Sequence, residues 1–582
     1  MPFRVCISLD YSRTFTIQFH VALKFKYLVI LIIISYEGVA VNIEKPWLKL
    51  WPKDVPTNLN YPNLNLPQTL ESASKEFPKR PAIIFEDSRL NYSQLYDSVE
   101  RFAAGLQHLG ISKGDRVAIY LYNCPQFVIA TYGALKAGAT VVPCSAAYKE
   151  RELEHLLIDS GSKILVTQER LLPISEKAVE KANIQNIIVT GDQDYKFLSS
   201  LDEAPSPEGP HVPFLKLLSK NNPSPVDVPI NPKEDLAFLC YTGGTTGTPK
   251  GCMLTHFNCI CDQLHEIYFF KLRRGEEVLV LFSPLFHIHG LNRCMGTYLT
   301  AASTIILFER FNVAKVLEAI EKYRVTVFPG VPTAYIALIN YPEIKKHDLS
   351  SVRIWKSAAA PLPTEVWFKF RELAGACISV GWGLTEASPG LTLTPLEMTE
   401  YKPGMVGIPE IDTEVAVFDV EKNVKVPPGV VGELRARGPQ VMKGYWNKPE
   451  ETMKVFSNGW LCTGDLGYMD ENGIFYFVDR LKDVIKVSGF QVWPMEVEDV
   501  LCSHPAVLEV AVVGIPDEYH GEVPKAYVVL RKEFKGQVKE EDFIKYCEGK
   551  MAKYKVPKKV EFVEELPKTP SGKILRRLLR CR

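Results

Sequence analysis

Hydrophobic residues recur along this chain with two different periods, and from about residue 67 onwards the two periods alternate. Short unbroken apolar runs predict strands, whereas apolar residues spaced three or four apart predict helices. The strands predicted in the first half lie at 82–85, 116–121, 140–142 and 236–241. The helices predicted there lie at 70–77, 93–109 and 127–137. Strands that alternate with helices of this length indicate a parallel α/β sheet.

The pattern of predicted elements changes towards the C-terminus. Between 407 and 477 short strands and turns dominate, which predicts a small β-rich subdomain. Beyond residue 480 we predict a separate α+β unit, with helices at 496–501 and 541–551 and strands at 508–513 and 526–530. Segments rich in Pro, Asn and Ser predict surface loops at 204–210 and 221–232. A chain of 582 residues is also too long for one core, so we expect two or more domains.

Composition excludes several classes of protein. Lys and Arg together number 68, as do Asp and Glu, so the chain lacks the basic excess of a nucleic-acid-binding protein. The 13 cysteines are scattered and contain no C-x-x-C pair, which favours reduced thiols over a disulfide framework or a zinc site. We therefore expect a cytoplasmic protein.

An apolar run at 27–34 follows Lys24 and Lys26 near the N-terminus. It is too short for a spanning helix, which needs roughly 20 apolar residues. A signal-peptide core, a weak membrane anchor, a buried strand and a translation start near Val39 or Val41 are the alternatives. We favour the later start or the buried strand, and treat 1–44 as an N-terminal extension of uncertain role.

A Gly/Thr-rich loop follows the predicted strand 236–241. Its glycines allow a tight turn that presents backbone N–H groups to an anion, and its threonines and lysine add hydroxyl donors and a positive charge. A Walker A loop would end in Gly-Lys-Ser/Thr, but here Gly251 follows the lysine. The sequence therefore predicts a polyphosphate-binding loop of another kind. Its candidate ligands are Thr242, Gly243, Gly244, Thr245, Thr246, Gly247, Thr248 and Lys250.

This loop resembles the signature loop of the adenylate-forming superfamily, which includes acyl-CoA synthetases, 4-coumarate–CoA ligases, firefly luciferase and peptide-synthetase adenylation domains. The likeness extends from about residue 67 to 577, and it is strongest to medium- and long-chain fatty-acid–CoA ligases. It implies an α/β fold with a large N-terminal domain of two parallel α/β subdomains plus a small β-rich subdomain. A small mobile α+β C-terminal domain would follow. The implied boundaries are 45–480 for the AMP-binding domain and 481–582 for the mobile domain.

The resemblance also assigns nucleotide contacts. In Gly381-Trp-Gly-Leu-Thr-Glu386, Thr385 would donate to the α-phosphate and Glu386 would hold Mg²⁺. Trp382 stands where the family usually has a tyrosine beside the adenine, and an indole can stack there; a tryptophan of the core is the alternative. Ala359 lies in a segment that resembles the adenine-pocket loop, in which Ala358 departs from the common glycine.

Two further positions match residues that contact the ribose. Asp465 corresponds to the aspartate that accepts hydrogen bonds from the ribose hydroxyls. Arg480 corresponds to the arginine near the ribose and phosphate, with an exposed salt bridge in a turn as the alternative.

The C-terminal residues have roles in two half-reactions by the same resemblance. Lys573 corresponds to the adenylation lysine, which bridges the substrate carboxylate and the α-phosphate. Lys482 stands at the hinge about which the C-terminal domain would rotate. The rotation would bring to the site a thiolation segment that contains Lys486, Ser488, Gly489 and Gln491. The basic tail, with Arg576, Arg577 and Arg580, is interpreted as solvated, and contact with the coenzyme A phosphates is the alternative.

The resemblance assigns two positions to the acyl pocket. His287 matches the histidine that lines and gates this pocket, although His287 and His289 can also be interpreted as metal ligands on one strand face. Gly383 occupies the position where acetyl-specific members carry a tryptophan, so the resemblance implies a pocket that is open to a medium- or long-chain fatty acid or to an aryl acid.

The resemblance thus implies ATP-dependent ligation of a carboxylic acid to coenzyme A through an acyl-adenylate, with ATP, Mg²⁺ and coenzyme A required. An aryl-acid ligase of the 4-coumarate type and a non-catalytic acyl- or nucleotide-binding protein are the alternatives. We expect small-molecule partners only, peripheral membrane association at most, and a monomer or homodimer.

Overall fold

Strands and helices alternate through most of the chain in this computed structural model, which describes residues 45–201, 209–242, 249–569 and 574–580. The apolar run at 27–34 lies outside the described residues. The fold given below is that of the unit Trp47–Arg582. The α-helices are α1 Leu66–Glu76, α2 Tyr92–His108, α3 Pro125–Lys136, α4 Glu150–Ser160, α5 Leu172–Val179, α6 Phe214–Lys220, α7 His256–Phe269, α8 Thr297–Thr300, α9 Val313–Tyr323, α10 Pro332–Ile339, α11 Thr364–Ala374, α12 Pro449–Val455, α13 Pro494–Cys502, α14 Glu540–Glu548 and α15 Arg576–Arg580.

The strands number 26 in the described residues. They are β1 Pro81–Phe85, β2 Ser88–Asn91, β3 Arg116–Tyr120, β4 Thr140–Pro143, β5 Ile164–Gln168, β6 Asn186–Thr190, β7 Val212–Pro213, β8 Leu236–Thr242, β9 Lys250–Thr255, β10 Val278–Leu281, β11 Thr304–Leu307, β12 Val327–Gly330, β13 Ile354–Ser357, β14 Ile378–Gly383, β15 Gly390–Leu393, β16 Met405–Pro409, β17 Glu414–Phe418, β18 Gly432–Arg437, β19 Phe456–Ser457, β20 Trp460–Met469, β21 Phe475–Arg480, β22 Ile485–Val487, β23 Phe490–Val492, β24 Val507–Asp517, β25 Gly521–Leu530 and β26 Lys559–Phe562. A π-helix runs over His289–Gly296 and a 3-10 turn over Thr385–Ala387.

Three sheets organise these strands. The first has the order β7-β6-β5-β3-β4-β8-β9 and is parallel except for its last pair. The second continues from parallel strands β1-β11-β10-β12-β13-β14 into antiparallel strands β15, β16, β21, β20, β18 and β17. The third, with the order β23-β22-β25-β24 and β26 beside β25, lies in the C-terminal part. This architecture confirms the predicted fold class.

Local sequence explains why the elements begin where they do. The side chains of Asn65 and Asn91 cap α1 and α2, and a glutamine three residues later returns a hydrogen bond in each case. Thr255 caps α7 in the same way. Strands β4 and β5 are buried along their whole length, because helices cover both faces of a parallel sheet. Every helix and strand predicted above is present, with bounds shifted by a few residues.

The C-terminal region builds a core of its own, in which α13 and α14 pack on the third sheet. The prediction of a solvated basic tail fails at Arg576, which is half-buried and pairs with Glu498 at 2.7 Å. Arg577 and Arg580 are exposed, and Arg580 pairs with Asp483 at 3.0 Å. Leu579 is fully buried beside them, so α15 is anchored by packing as well as by charge. The domain boundaries and the mobility of this region stay predictions.

A buried ion cluster joins segments that are distant in sequence. Arg293 of the π-helix contacts Asp262 at 2.7 Å and Glu410 at 2.6 Å, and it also pairs with Glu266. Lys356 of β13 pairs with Glu266 as well. Burial acts to lower the pKa of Arg293, but the three carboxylates raise it above its usual range, so the guanidinium stays charged. The cluster connects α7, the π-helix, β13 and the turn after β16.

In the described part of the chain, no helix is long and apolar enough to cross a membrane.

Replacement of Arg293 by methionine tests the cluster, because it removes the cation and leaves Asp262 and Glu410 buried without it. Breaking a buried pair in this way costs about 3–5 kcal/mol. We expect the thermal unfolding midpoint to fall by several degrees in differential scanning calorimetry. As a control, Arg324→Met breaks an exposed pair with Asp348, which is worth about 1 kcal/mol or less. Equal thermal unfolding midpoints for the two variants would contradict a structural role for the cluster.

Candidate active site

An ion pair between neighbouring strands forms the first part of the site. Asp465 of β20 and Arg480 of β21 are direct cross-strand partners, and Arg480 Nε lies 2.6 Å from Asp465 Oδ1. The indole Nε1 of Trp382, near the end of β14, donates to Asp465 Oδ2 at 2.8 Å. Three residues proposed from separate motifs are therefore brought together by the meeting of β14, β20 and β21.

Trp382 is only 8% exposed, and its indole N–H is already bound to a carboxylate. Trp382 therefore fixes the orientation of Asp465, a role that sequence reasoning missed. Asp465 itself is 2% exposed, so its two partners also satisfy a buried charge. Stacking of Trp382 on adenine stays a prediction.

The phosphate loop joins two antiparallel strands. Thr242 at the end of β8 pairs directly with Lys250 at the start of β9. Six of the proposed phosphate ligands (Gly243, Gly244, Thr245, Thr246, Gly247 and Thr248) lie outside the described residues, as does Lys573. The described flanks, Thr242 and Lys250, are half-buried at the mouth of the hairpin.

Lys250 and Glu386 share a common neighbour, Tyr445. The ammonium of Lys250 lies 5.1 Å from the centroid of the Tyr445 ring, and the Tyr445 hydroxyl donates to Glu386 Oε1 at 2.8 Å. Lys250 also pairs with Glu451 of α12. Sequence reasoning missed Tyr445 and Glu451, because they follow the loop by about two hundred residues and no local motif connects them to it.

The segment after β13 contains a strained position. Ala359 has a φ of 72°, in the left-handed region that residues other than glycine adopt at a cost. It is exposed, whereas Ser357 just before it is fully buried. The unusual backbone therefore lies at Ala359 and not at Ala358, the position where the sequence departs from the family pattern.

The two histidines of the acyl segment do not share a strand face. His289 opens the π-helix, and its backbone N–H donates to His287 Nδ1 at 3.3 Å. Burial lowers the pKa of His289 well below its usual value, and the charges of Lys356 and Arg293 act in the same direction, so this imidazole is neutral. The interpretation of both histidines as ligands on one strand is wrong. The gating role of His287 stays a prediction.

The proposed thiolation residues lie together on the β22–β23 hairpin. Its turn has Ser488 at φ 50° and Gly489 at φ 85°, and Ser488 Oγ lies 2.8 Å from His520 Nδ1. Lys486, Gly489 and Gln491 are exposed, and a side chain at Gly489 would meet nothing within 4 Å. In this structure the hairpin therefore faces solvent. The proposed hinge residue Lys482 lies just before it, and burial, followed by the charge of Arg480, lowers its pKa.

Comparison with known proteins agrees with this arrangement. Residues 70–446 match the AMP-binding enzyme family, and residues 496–573 match the AMP-binding enzyme C-terminal domain. The chain belongs to the AMP-binding enzyme family. It is 40% identical to a long-chain-fatty-acid–CoA ligase of Bacillus subtilis (strain 168), across 92% of this chain and 98% of that ligase.

A second relative of this AMP-binding enzyme is the 4-coumarate–CoA ligase 1 of Petroselinum crispum, at 37% identity over 84% of this chain and 88% of that ligase. Among solved structures, the crystal structure of ATP-bound MatB from Rhodopseudomonas palustris superimposes with a TM-score of 0.80. That protein is 28% identical, and the likeness covers 89% of this chain and 98% of the other.

Gly383 of the AMP-binding enzyme is restricted by the backbone around it. Its strand β14 pairs with β15 through an irregularity between Trp382 and Gly383, opposite Gly390. A Cβ at Gly383 would lie 1.9 Å from the carbonyl oxygen of Pro389, a distance that forces the backbone to move. A bulky residue here would therefore disturb the pairing of the strands before it could narrow a pocket. The link between Gly383 and chain length stays a prediction.

A Gly383→Ala variant tests this restriction. The added methyl group should cost about 1–3 kcal/mol through overpacking and should shift the turn that carries Glu386. We expect activity with short and long acids to fall by the same factor, measured as AMP release. Gly549→Ala is the comparison, because Gly549 has a φ of −75° and the nearest atom to the new methyl group, Tyr546 O, lies 3.9 Å away. A selective loss of long-chain acids would instead indicate that Gly383 lines the acyl pocket.

Proposed function

We propose that this AMP-binding enzyme joins a medium- or long-chain fatty acid to coenzyme A through an acyl-adenylate, with release of AMP and pyrophosphate. The observation that carries the proposal is the convergence of Trp382, Asp465 and Arg480 beside the turn that holds Glu386. The name of the Bacillus subtilis relative supports the fatty acid as substrate, because the likeness spans nearly all of both chains.

In the first half-step, a carboxylate oxygen of the acid attacks the α-phosphorus of ATP, and the bond to the pyrophosphate oxygen breaks. Asp465, held by Trp382 and Arg480, accepts hydrogen bonds from the ribose hydroxyls. Lys250 faces the phosphates and must exchange its pairing with Glu451 for a phosphate oxygen. Lys573 offsets the charge that develops between the two reactants. These contributions are mostly positioning and electrostatic stabilisation.

Glu386 is suited to hold Mg²⁺ on the phosphates. Its Oε1 accepts from Tyr445, and in the described part of the chain its Oε2 accepts no hydrogen bond. Mg²⁺ commonly binds through one or two carboxylates together with substrate phosphates and waters. A single half-buried carboxylate therefore fits the ion. When bound, Mg²⁺ neutralises charge on the phosphate oxygens.

In the second half-step, the sulfur of coenzyme A attacks the carbonyl carbon of the adenylate. The bond to the AMP oxygen breaks, and the thiol proton is released. The C-terminal domain is proposed to rotate about Lys482 and bring Gly489 to the adenylate, and the exposure of the β22–β23 hairpin to solvent in this structure supports that proposal. Gly489 has no side chain to obstruct the pantetheine arm.

We also propose that the enzyme is cytoplasmic, that it is a monomer or homodimer, and that its substrates are small molecules. An aryl acid of the 4-coumarate type is the second candidate substrate, supported by the name of the Petroselinum crispum relative.

A panel of acids tests the function. The purified protein is incubated with ATP, Mg²⁺ and coenzyme A, and AMP release is measured with acids from acetate to palmitate and with cinnamates. We expect release that needs both coenzyme A and a medium- or long-chain acid, with neighbouring chain lengths similar because one methylene contributes only about 1–3 kcal/mol. Release with cinnamates alone would favour the aryl-acid alternative. No release with any acid would overturn the proposal.

A Lys573→Ala variant separates the two half-steps. We expect pyrophosphate exchange into ATP, which reports adenylation, to be lost because the charge between the reactants is no longer offset. Acyl-CoA formation from a preformed acyl-adenylate should be largely retained. Arg577→Ala, an exposed cation in the neighbouring helix, is the control and should behave as the parent enzyme. An equal loss of both half-steps would contradict the assigned role.

Trp382→Phe distinguishes the two roles of the tryptophan. Phenylalanine keeps an aromatic face but removes the N–H that donates to Asp465. A hydrogen bond to a charged group contributes about 1.5–3 kcal/mol, so we expect the KM for ATP to rise about tenfold or more. An unchanged KM would indicate that stacking alone accounts for the residue. Trp367→Phe is the control, because the Trp367 indole donates to Ile378 O at the other end of β14 from Trp382.

A further inference from the structure

A short segment, 442–446, connects the phosphate hairpin to the carboxylate turn. Along one side it runs antiparallel to β9: Met253 N donates to Gly444 O at 2.9 Å, and Trp446 N donates to Gly251 O at 2.8 Å. Along the other side, Met442 N donates to the carbonyl oxygen of Glu386 at 2.8 Å. The segment is thus held by main-chain hydrogen bonds to two parts of the site that are far apart in sequence.

Tyr445 lies in the middle of this segment and contacts both parts with its side chain. Its hydroxyl donates to Glu386 Oε1, and its ring lies beneath the ammonium of Lys250. The backbone N–H of Tyr445 donates to Thr452 Oγ1 at 2.9 Å, and the residue is only 6% exposed. The ring therefore has little freedom to turn, and the direction of its hydroxyl is set by the main chain.

We infer that Tyr445 is a positioning residue for the metal–nucleotide site, because it holds the Glu386 carboxylate by Oε1 and leaves Oε2 for a cation on the nucleotide phosphates. This inference rests on the proposed role of Glu386. A carboxylate can rotate about its terminal bond, and a single donor to one oxygen removes that freedom. Residues that orient a metal ligand in this way typically change metal affinity by about 10–100-fold when removed.

Tyr445 contacts Glu386 through its hydroxyl and Lys250 through its ring. Without a donor on Oε1, the carboxylate could turn towards the nearby ammonium and lose its position for the cation. The ring face adds an attraction to Lys250 that does not depend on the hydroxyl.

Calorimetric titration of the full chain with ATP tests the inference without acid or coenzyme A. One arm uses ATP with Mn²⁺, and the other uses ATP in EDTA. For Tyr445→Phe we expect the Kd for Mn²⁺–ATP to rise about tenfold or more and the Kd for metal-free ATP to stay unchanged. Phenylalanine keeps the aromatic ring beside Lys250, so the variant removes only the hydroxyl. If the substitution instead disturbed the phosphate hairpin in general, ATP binding would weaken equally in both arms. That result would overturn the inference, as would Mn²⁺–ATP binding equal to that of the parent protein.

Two further variants sharpen the experiment. Tyr476→Phe removes a hydroxyl that donates to Asp470 Oδ2 at 3.1 Å, which makes it a matched control, and it should leave both arms unchanged. Glu386→Gln should weaken the Mn²⁺–ATP arm, and adding Tyr445→Phe to it should cause no further loss if the tyrosine acts through Glu386. Additive losses would overturn the inference.

The titration also separates this inference from the proposed function. A metal-specific loss in Tyr445→Phe would support the inference even if no fatty acid gave AMP, in which case only the proposed substrate would fail. If the parent protein bound Mn²⁺–ATP no better than metal-free ATP, the inference would be overturned whatever the acid panel showed.

Discussion

The arrangement of this protein depends on one buried cation, Arg293, which is shared by three carboxylates. A charge without partners inside a protein is strongly unfavourable, so the groups that surround it have to meet in one arrangement. Asp262 and Glu266 come from α7 and Glu410 from the turn after β16. Lys356 adds a second cation from β13. A displacement of any one of these segments would leave charge without its partner.

This constraint extends to the active site through the main chain. Asp262 Oδ1 accepts from Gly390 N, and Asn292 donates to the carbonyl oxygen of Ser388. Both positions follow the turn that carries Glu386, so the turn is fixed from the core side. The π-helix contributes to this geometry, because its wider turn sets Asn292 and Arg293 side by side against α7. From the opposite side, the 442–446 segment restrains Glu386 and the strand of Lys250.

The nucleotide side and the thiol side of the site differ in how firmly they are held. Asp465 is buried and is contacted by Trp382 and Arg480, as expected for a group that must be ready before the substrate arrives. The β22–β23 hairpin instead projects into solvent, with Phe490 stacked on Tyr554 of its own domain. In the proposed mechanism this difference is useful, because the hairpin residues would take the place of the adenylation residues in the second half-step.

The sequence by itself determined the elements, the fold class and the chemical character of the site. These features could be predicted because each signal involves only residues that are close together in the sequence. This holds for the hydrophobic periodicity, for the helix caps at Asn65 and Asn91, and for the Gly/Thr loop at 243–248. Only the tertiary structure decided the interactions between residues far apart in the chain. It turned the Trp382 indole onto Asp465, placed Tyr445 between Lys250 and Glu386, and paired Arg576 with Glu498 in what had been interpreted as a solvated tail. No local pattern encodes such contacts, because they arise where separate strands and helices meet and their energy depends on burial that the folded chain alone creates.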